Sequence, residues 1–219
     1  MHYPINEMFQ TIQGEGYHTG IPSIFIRLHG CPIHCKWCDT KYTWNCLKSN
    51  EITIEKLLEK NISNNTWSYI DVKKIILNIK KQKWKSKHIV ITGGEPCIYN
   101  LSSLTEELEK KGFTCQIETS GTQLINCSFN TWVTVSPKKH KNTLYTSILR
   151  ANEIKYPVFK KEDLSYLDAI LSILNNRKKC HIFLQPISQN QESLKICIER
   201  CTIKNWRLSI QIHKYLLIR

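Results

Sequence analysis

Short runs of β-branched and aromatic residues alternate with helix-period apolar stripes along all 219 residues of this chain. That alternation calls for βα units and a largely parallel sheet. Strand signals fall at 22–28, at 88–92 just before Gly93-Gly94, and at 113–118, 131–135, 152–156, 181–185 and 207–212. Helix signals lie between them. Ser103 and Glu106 have capping-box spacing, Leu101, Leu104 and Leu108 share a face, and Gly112 is a stop signal. Further stripes are Leu164/Leu167/Leu171/Leu174, Leu194/Cys197/Ile198/Cys201, Ile54/Leu57/Leu58 and Val72/Ile75/Ile76/Ile79. The stretch 120–130 is too short and polar for a crossover helix, and a complete eight-fold barrel needs about 250 residues. The expected fold is therefore α/β: an incomplete, opened (βα) barrel in one domain over 1–219, with a helical insert at about 49–87. Its ligands would sit at the C-terminal ends of the strands.

Composition excludes several classes. Hydrophobic residues make up 41% and charged residues 22%, as in ordinary globular proteins. No apolar run approaches the roughly 20 residues that span a bilayer, and the first residues carry no basic-then-apolar leader pattern. A cytoplasmic protein without membrane association is expected. The net charge of +13 invites an RNA reading, but lysine supplies most of it, and Ile, Lys and Asn are all abundant, as in AT-rich genomes. The lysine-rich stretch 73–87 reads first as a solvated helix face and loop, with an acidic partner or RNA as the alternative. Nucleic acid is not the expected partner.

Ten cysteines are many for an intracellular chain, yet its length argues against a disulfide scaffold. Cys115, Cys197 and Cys201 lie on apolar faces and read as core. Cys97 and Cys46 read as packing. Only Cys31, Cys35 and Cys38 have ligand spacing, C-x3-C-x2-C, directly after the first strong strand. Three thiolates suit a soft metal or an iron–sulfur cluster. A closed zinc site wants four ligands, so zinc remains open only if His34 or Cys46 completes the set. A [4Fe–4S] cluster on three cysteines leaves one iron for a substrate or cofactor.

The loop C-x3-C-x-aromatic-C, with Trp37 as the aromatic, resembles that of the radical S-adenosylmethionine (SAM) superfamily. Thr92-Gly93-Gly94-Glu95-Pro96 is similar to its Gly-Gly-Glu motif. The opening Asn6-Glu7-Met8-Phe9-Gln10-Thr11-Ile12-Gln13-Gly14-Glu15-Gly16 resembles the 7-carboxy-7-deazaguanine synthase family within it. Cys38-Asp39-Thr40, Glu118-Thr119-Ser120-Gly121-Thr122, Ser136-Pro137-Lys138, Asn152-Glu153-Ile154-Lys155 and 207–214 extend the likeness, which weakens at about 49–87 and 159–179.

The resemblance implies a radical SAM-type barrel and a lyase. That lyase converts 6-carboxy-5,6,7,8-tetrahydropterin to 7-carboxy-7-deazaguanine with loss of ammonia, in queuosine biosynthesis. It implies a [4Fe–4S] cluster on Cys31, Cys35 and Cys38, SAM, and Mg²⁺ on Thr40. By the same likeness Trp37, Cys38, Asp39, Gly94, Ser136, Pro137, Lys138 and Gln185 hold SAM. Ile12, Gln13, Gly14, Arg27 and Thr92 hold the pterin, Arg27 gripping its carboxylate. Thr40 by itself reads as a cap on the next turn, and Glu118 could face SAM or substrate. A flavodoxin-like protein would supply single electrons. The basic C-terminus, 213–219, is open to two roles: closing the site or joining a homodimer. Two alternatives stand beside it: an activase that installs a glycyl radical on a partner, and a metal-stabilised RNA-binding module. The first leaves the Gln13–Gly16 opening unexplained, and the second the Gly-Gly-Glu and Ser-Pro-Lys segments.

Overall fold

The structure, a computed structural model, describes residues 1–60, 62–172, 174, 180–187 and 190–218. Arg219, the last residue of the basic C-terminal run, lies outside the described residues. The chain forms two compact units: 1–11, 22–119 and 125–131, and then 12–21, 120–124 and 132–219.

The first unit holds β1 (His2–Ile12, whose last residue belongs to the second unit), β2 (Pro22–Leu28), α1 (Ile54–Leu58), β3 (Ser68–Asp71), α2 (Val72–Lys81), β4 (His88–Gly93), α3 (Ser102–Lys110) and β5 (Thr114–Thr119). Its strand order is β3-β1-β2-β4-β5. β1 and β3 pair antiparallel, whereas β2, β4 and β5 are parallel. The first four residues of β4 are buried without alternation, as for a strand covered on both faces. Ile24, Ile26, Ile89, Ile91 and Ile117 form the sheet's share of the core, and Ile75, Ile79, Leu104 and Leu108 cover it from the helices. Asp71 caps α2 by accepting from the Lys74 N–H at 2.9 Å. All seven lysines of 73–87 are exposed, as a solvated face requires.

The second unit holds β6 (Trp132–Val135), α4 (Tyr145–Arg150), β7 (Glu153–Val158), α5 (Asp163–Ser172), β8 (His181–Pro186), α6 (Gln191–Lys204), β9 (Arg207–Leu208) and α7 (Ile212–Leu216). β6 to β9 are parallel in chain order. Val133, Val135, Ile154, Val158 and Leu184 are fully buried. Among the described residues no helix is long and apolar enough to cross a membrane.

Several local expectations are corrected. The run 207–212 is a strand only over its first two residues and then turns into α7. The insert at 49–87 is not wholly helical, because β3 lies inside it and completes β1. The capping box at Ser103 does not form. The Asn100 side chain accepts from Ser102 N–H, and α3 begins at Ser102 with Leu101 as its N-cap, two residues earlier than a Ser103 cap would set it, which draws Ser103 into the helix. On α6 the inner face is Ser193, Cys197 and Cys201, while Ile198 is exposed. Ser193 faces inward because its hydroxyl donates to the Val158 carbonyl at 2.6 Å.

Candidate functional site

The cysteine loop leaves β2 through His29 and Gly30, and the Gly-Gly exit of β4 lies on its neck. Gly94 N–H donates to Leu28 O at 3.0 Å and Glu95 N–H to Gly30 O at 2.9 Å. A Cβ on Gly94 would stand 2.1 Å from Gly30 O, and one on Gly93 would stand 2.2 Å from Leu28 O. Gly93 also has φ +138°, a conformation that favours glycine. The two glycines therefore let β4 close on the start of the loop, a structural task in addition to the SAM contact expected of Gly94. Across the neck, Gly30 and Cys31 N–H donate to Thr43 O and Trp44 O, just at and after the 3-10 turn Lys41–Thr43. The buried Glu95 carboxylate accepts from the Thr119 hydroxyl at 2.5 Å and from Cys97 N–H at 3.1 Å. Cys97 beside it is buried and its thiol is pushed up by that burial, as packing demands.

Cys35 is buried, and Cys31 and Cys38 are half-buried. Burial pushes the Cys31 thiol up, while backbone N–H groups of Ile33 and His34 favour its thiolate. His34 adopts a left-handed φ of 55° and stacks on Trp44 at 4.6 Å. The Trp44 indole N–H is buried with no acceptor among the described residues. Among those residues no three His, Cys, Asp or Glu side chains converge on one metal ion. Three soft donors, with backbone N–H groups aimed at the Cys31 sulfur, fit an iron–sulfur cluster. Trp37 and Asp39 are exposed on the same loop. The Thr40 hydroxyl lies 3.4 Å from Cys38 Sγ, so Thr40 is not remote from the cysteines.

Arg27 and Thr92 are register partners on β2 and β4. Arg27 Nε donates to Glu7 Oε1 at 2.6 Å, with side chains only 16% and 3% exposed. Tyr42 and Ser63 hydroxyls also donate to Glu7, at 3.2 and 3.1 Å. Burial pushes the Tyr42 phenol up and keeps it a donor. Sequence reasoning did not assign Glu7, Tyr42 or Ser63. The available signal was a carboxylate among the apolar residues of β1, which demands a buried cation. Glu118 accepts from the Gln116 amide at 2.9 Å.

In the second unit the loop 12–21 is tightly closed, with Gln13 N–H donating to Ile21 O and Gly20 N–H to Gln13 O. Gln13 is buried and Ile12 is partly exposed. Gly14 O accepts from Ile212 N–H at 3.1 Å, and a Cβ on Gly14 would meet His213 Nδ1 at 2.4 Å. His213 of the C-terminal segment thus packs on the Gly14 loop. Gly16 N–H donates to Ser209 Oγ, which in turn donates to Gln185 Oε1 at 3.2 Å. Lys138 Nζ donates to Ser136 Oγ at 2.6 Å beside the buried Pro137, after β6.

Glu15, Lys155 and Gln211 were also missed by sequence reasoning. Lys155 Nζ and Gln211 Nε2 donate to the Glu15 carboxylate at 2.6 and 2.7 Å. Burial alone would push this carboxyl up. The Lys155 ammonium and the hydrogen bonds from Lys155 and Gln211 outweigh that and hold it at about 2. Its usual value is 4.5, so the pair's stabilisation is complete above about 4.5 and is lost as pH falls towards about 2. Glu15→Gln is expected to lower the melting temperature at pH 7 and to flatten the acid limb of a stability-versus-pH series. An unchanged acid limb would show that Glu15 is ordinary.

Comparison with known proteins gives this architecture its class. The profile of the Radical SAM superfamily matches residues 25–126, which contain the cysteine loop and the Gly-Gly-Glu turn. A 7-carboxy-7-deazaguanine synthase of Buchnera aphidicola subsp. Schizaphis graminum is 69% identical over 219 residues, covering all of both chains. The enzyme of that name from Escherichia coli strain K12 is 51% identical over 222 residues, again end to end. The crystal structure of QueE from Escherichia coli superposes with a TM-score of 0.94 at 51% identity, over 96% of this chain and 94% of that one. This chain belongs to the 7-carboxy-7-deazaguanine synthase family of radical SAM enzymes. The α/β opened-barrel class read from the sequence is the fold of that family. A [4Fe–4S] cluster, SAM and a small-molecule substrate come with the family, and neither the activase nor the RNA-binding alternative finds support.

Proposed function

We propose that this chain converts 6-carboxy-5,6,7,8-tetrahydropterin to 7-carboxy-7-deazaguanine and ammonia on the route to queuosine. End-to-end 69% identity to a synthase named for that product carries the reading. Substrate and product differ by NH3 alone, so no net oxidant is required. Bound together, cluster and SAM would supply the radical chemistry that removes a substrate hydrogen.

This chain's residues would bind and orient. Cys31, Cys35 and Cys38 would hold the cluster. Trp37, Cys38, Asp39, Gly94, Ser136, Pro137, Lys138 and Gln185 would hold SAM, with Lys138 steadied by Ser136. Arg27 has its Nε on Glu7 and would turn its terminal nitrogens to the pterin carboxylate. Thr92, its register partner, would add a hydroxyl. Ile12, Gln13 and Gly14 would offer backbone and amide groups from a loop fixed by Glu15 and Lys155. Thr40 would contribute one oxygen to Mg²⁺, which takes few protein ligands.

The reading places the protein in the cytoplasm as one radical SAM domain. It acts with a flavodoxin-like one-electron donor and assembles as a homodimer. The test is anaerobic reconstitution with iron and sulfide, then incubation with SAM, reductant, Mg²⁺ and the carboxy-tetrahydropterin. Deazaguanine acid and ammonia in equal amounts are expected. 5′-Deoxyadenosine without ring contraction would overturn the substrate assignment and leave the radical chemistry standing.

A further inference from the structure

We propose that the Thr40 side chain donates a hydrogen bond to the Cys38 sulfur and thereby sets the reduction potential of the cluster. The inference rests on the proposed cluster ligation by Cys31, Cys35 and Cys38. Thr40 occupies the N-cap position of the 3-10 turn Lys41–Thr43, where a threonine hydroxyl ordinarily accepts from the turn's own N–H groups. Here it makes no such bond. The Thr40 carbonyl accepts the turn's own first backbone bond, from Thr43 N–H at 2.9 Å, and also the Thr43 hydroxyl at 2.8 Å. This fixes the Thr40 backbone and leaves its hydroxyl 3.4 Å from Cys38 Sγ.

Ligation to iron decides the direction of that contact. A cysteine that ligates iron does so as a thiolate and carries no proton. The hydroxyl must then be the donor and the sulfur the acceptor. Hydrogen bonds to cluster sulfurs stabilise the more negative, reduced state and raise the potential. Cys31 receives its hydrogen bonds from backbone N–H groups of Ile33 and His34. Those cannot be removed by changing a side chain. The donor to Cys38 can, which makes Thr40 an adjustable part of the loop. A hydroxyl oxygen that donates its one proton keeps two lone pairs. Thr40 can therefore also offer oxygen to Mg²⁺, and a cation there would sharpen the donor. Thr40 acts through Cys38 and is a positioning residue in this respect.

The experiment compares the reconstituted wild-type protein with Thr40→Val, which keeps the shape and removes the hydroxyl, and Thr40→Ser, which keeps the hydroxyl. Midpoint potentials are read by paramagnetic resonance during redox titration, without SAM or Mg²⁺. Thr40→Val is expected to favour the oxidised cluster by about tenfold, a shift of about 59 mV to lower potential for one electron. Thr40→Ser should match the wild type. Equal potentials in all three would overturn the proposal. Should Thr40→Val fail to assemble a cluster, Thr40→Ala, which also removes the hydroxyl, takes its place in the same titration, with the same downward shift expected and a wild-type potential overturning the proposal. A wild-type protein that binds no iron would instead defeat the ligation reading beneath it.

Discussion

Cys35→Ala should leave the protein unable to hold iron. Reconstituted wild type is expected to carry about four irons per chain, and the variant less than one. The size of the effect follows from the donor count. Three cysteines are already the minimum that anchors the cluster, and Cys35 is the most buried of them, at 8% exposure. No fourth cysteine falls within the ligand spacing of the loop. The fold should tolerate the change. Alanine nearly fills the volume, and the Cys38 N–H bond to Cys35 O at 3.1 Å is backbone to backbone. A melting temperature within a few degrees of the wild type separates loss of ligation from loss of fold. Cys46→Ala should retain full iron, because Cys46 lies beside Tyr99 and outside the ligand spacing. Stoichiometric zinc in the wild type, with no capacity for iron, would return the loop to a metal knuckle.

That loop was legible because its spacing is local: three thiols within eight residues, following a strand of β-branched residues. β2 and β4 were legible for the same reason, each carrying a continuous apolar run, while β5 and β7 showed through shorter apolar and polar alternation between helical stripes. β1 was not. It carries Pro4, Asn6, Glu7 and Gln10 among its apolar residues, and seven successive positions from Tyr3 to Phe9 are buried, so it shows neither alternation nor an apolar run. β3 is four residues long and gains its place only by pairing with β1. The same limit hid the polar networks. Glu7 meets Arg27, Tyr42 and Ser63 across 20, 35 and 56 residues of sequence. Glu15 meets Lys155 and Gln211 across 140 and 196. Periodicity carries no information at such separations. A buried carboxylate announces that a cation must exist, but only the fold says which.

Arg27 is where that difference has the largest consequence for substrate. Arg27→Ala is expected to weaken binding of the carboxy-tetrahydropterin by roughly ten- to a hundred-fold, the worth of a charge-assisted contact of ~1.5–3 kcal/mol. SAM affinity should change little. Arg27→Lys should not restore substrate binding. An ammonium placed to satisfy Glu7 has no second face in the same plane, whereas the guanidinium binds Glu7 through Nε and keeps its terminal nitrogens for the ligand. The single substitution carries a complication that the structure makes explicit. It takes the guanidinium away from the Glu7 carboxylate, 3% exposed, which the Tyr42 and Ser63 hydroxyls also contact, and breaking a buried pair costs up to about 3–5 kcal/mol. A loss of substrate affinity could then be a loss of fold. Arg27→Ala combined with Glu7→Gln removes both charges together and should recover much of the melting temperature. If Arg27 grips the substrate, the double variant stays as weak for the pterin acid as the single one, and titration of folded protein shows it. Recovery of substrate affinity along with stability would mean that Arg27 serves only to neutralise Glu7, and the carboxylate would need another partner.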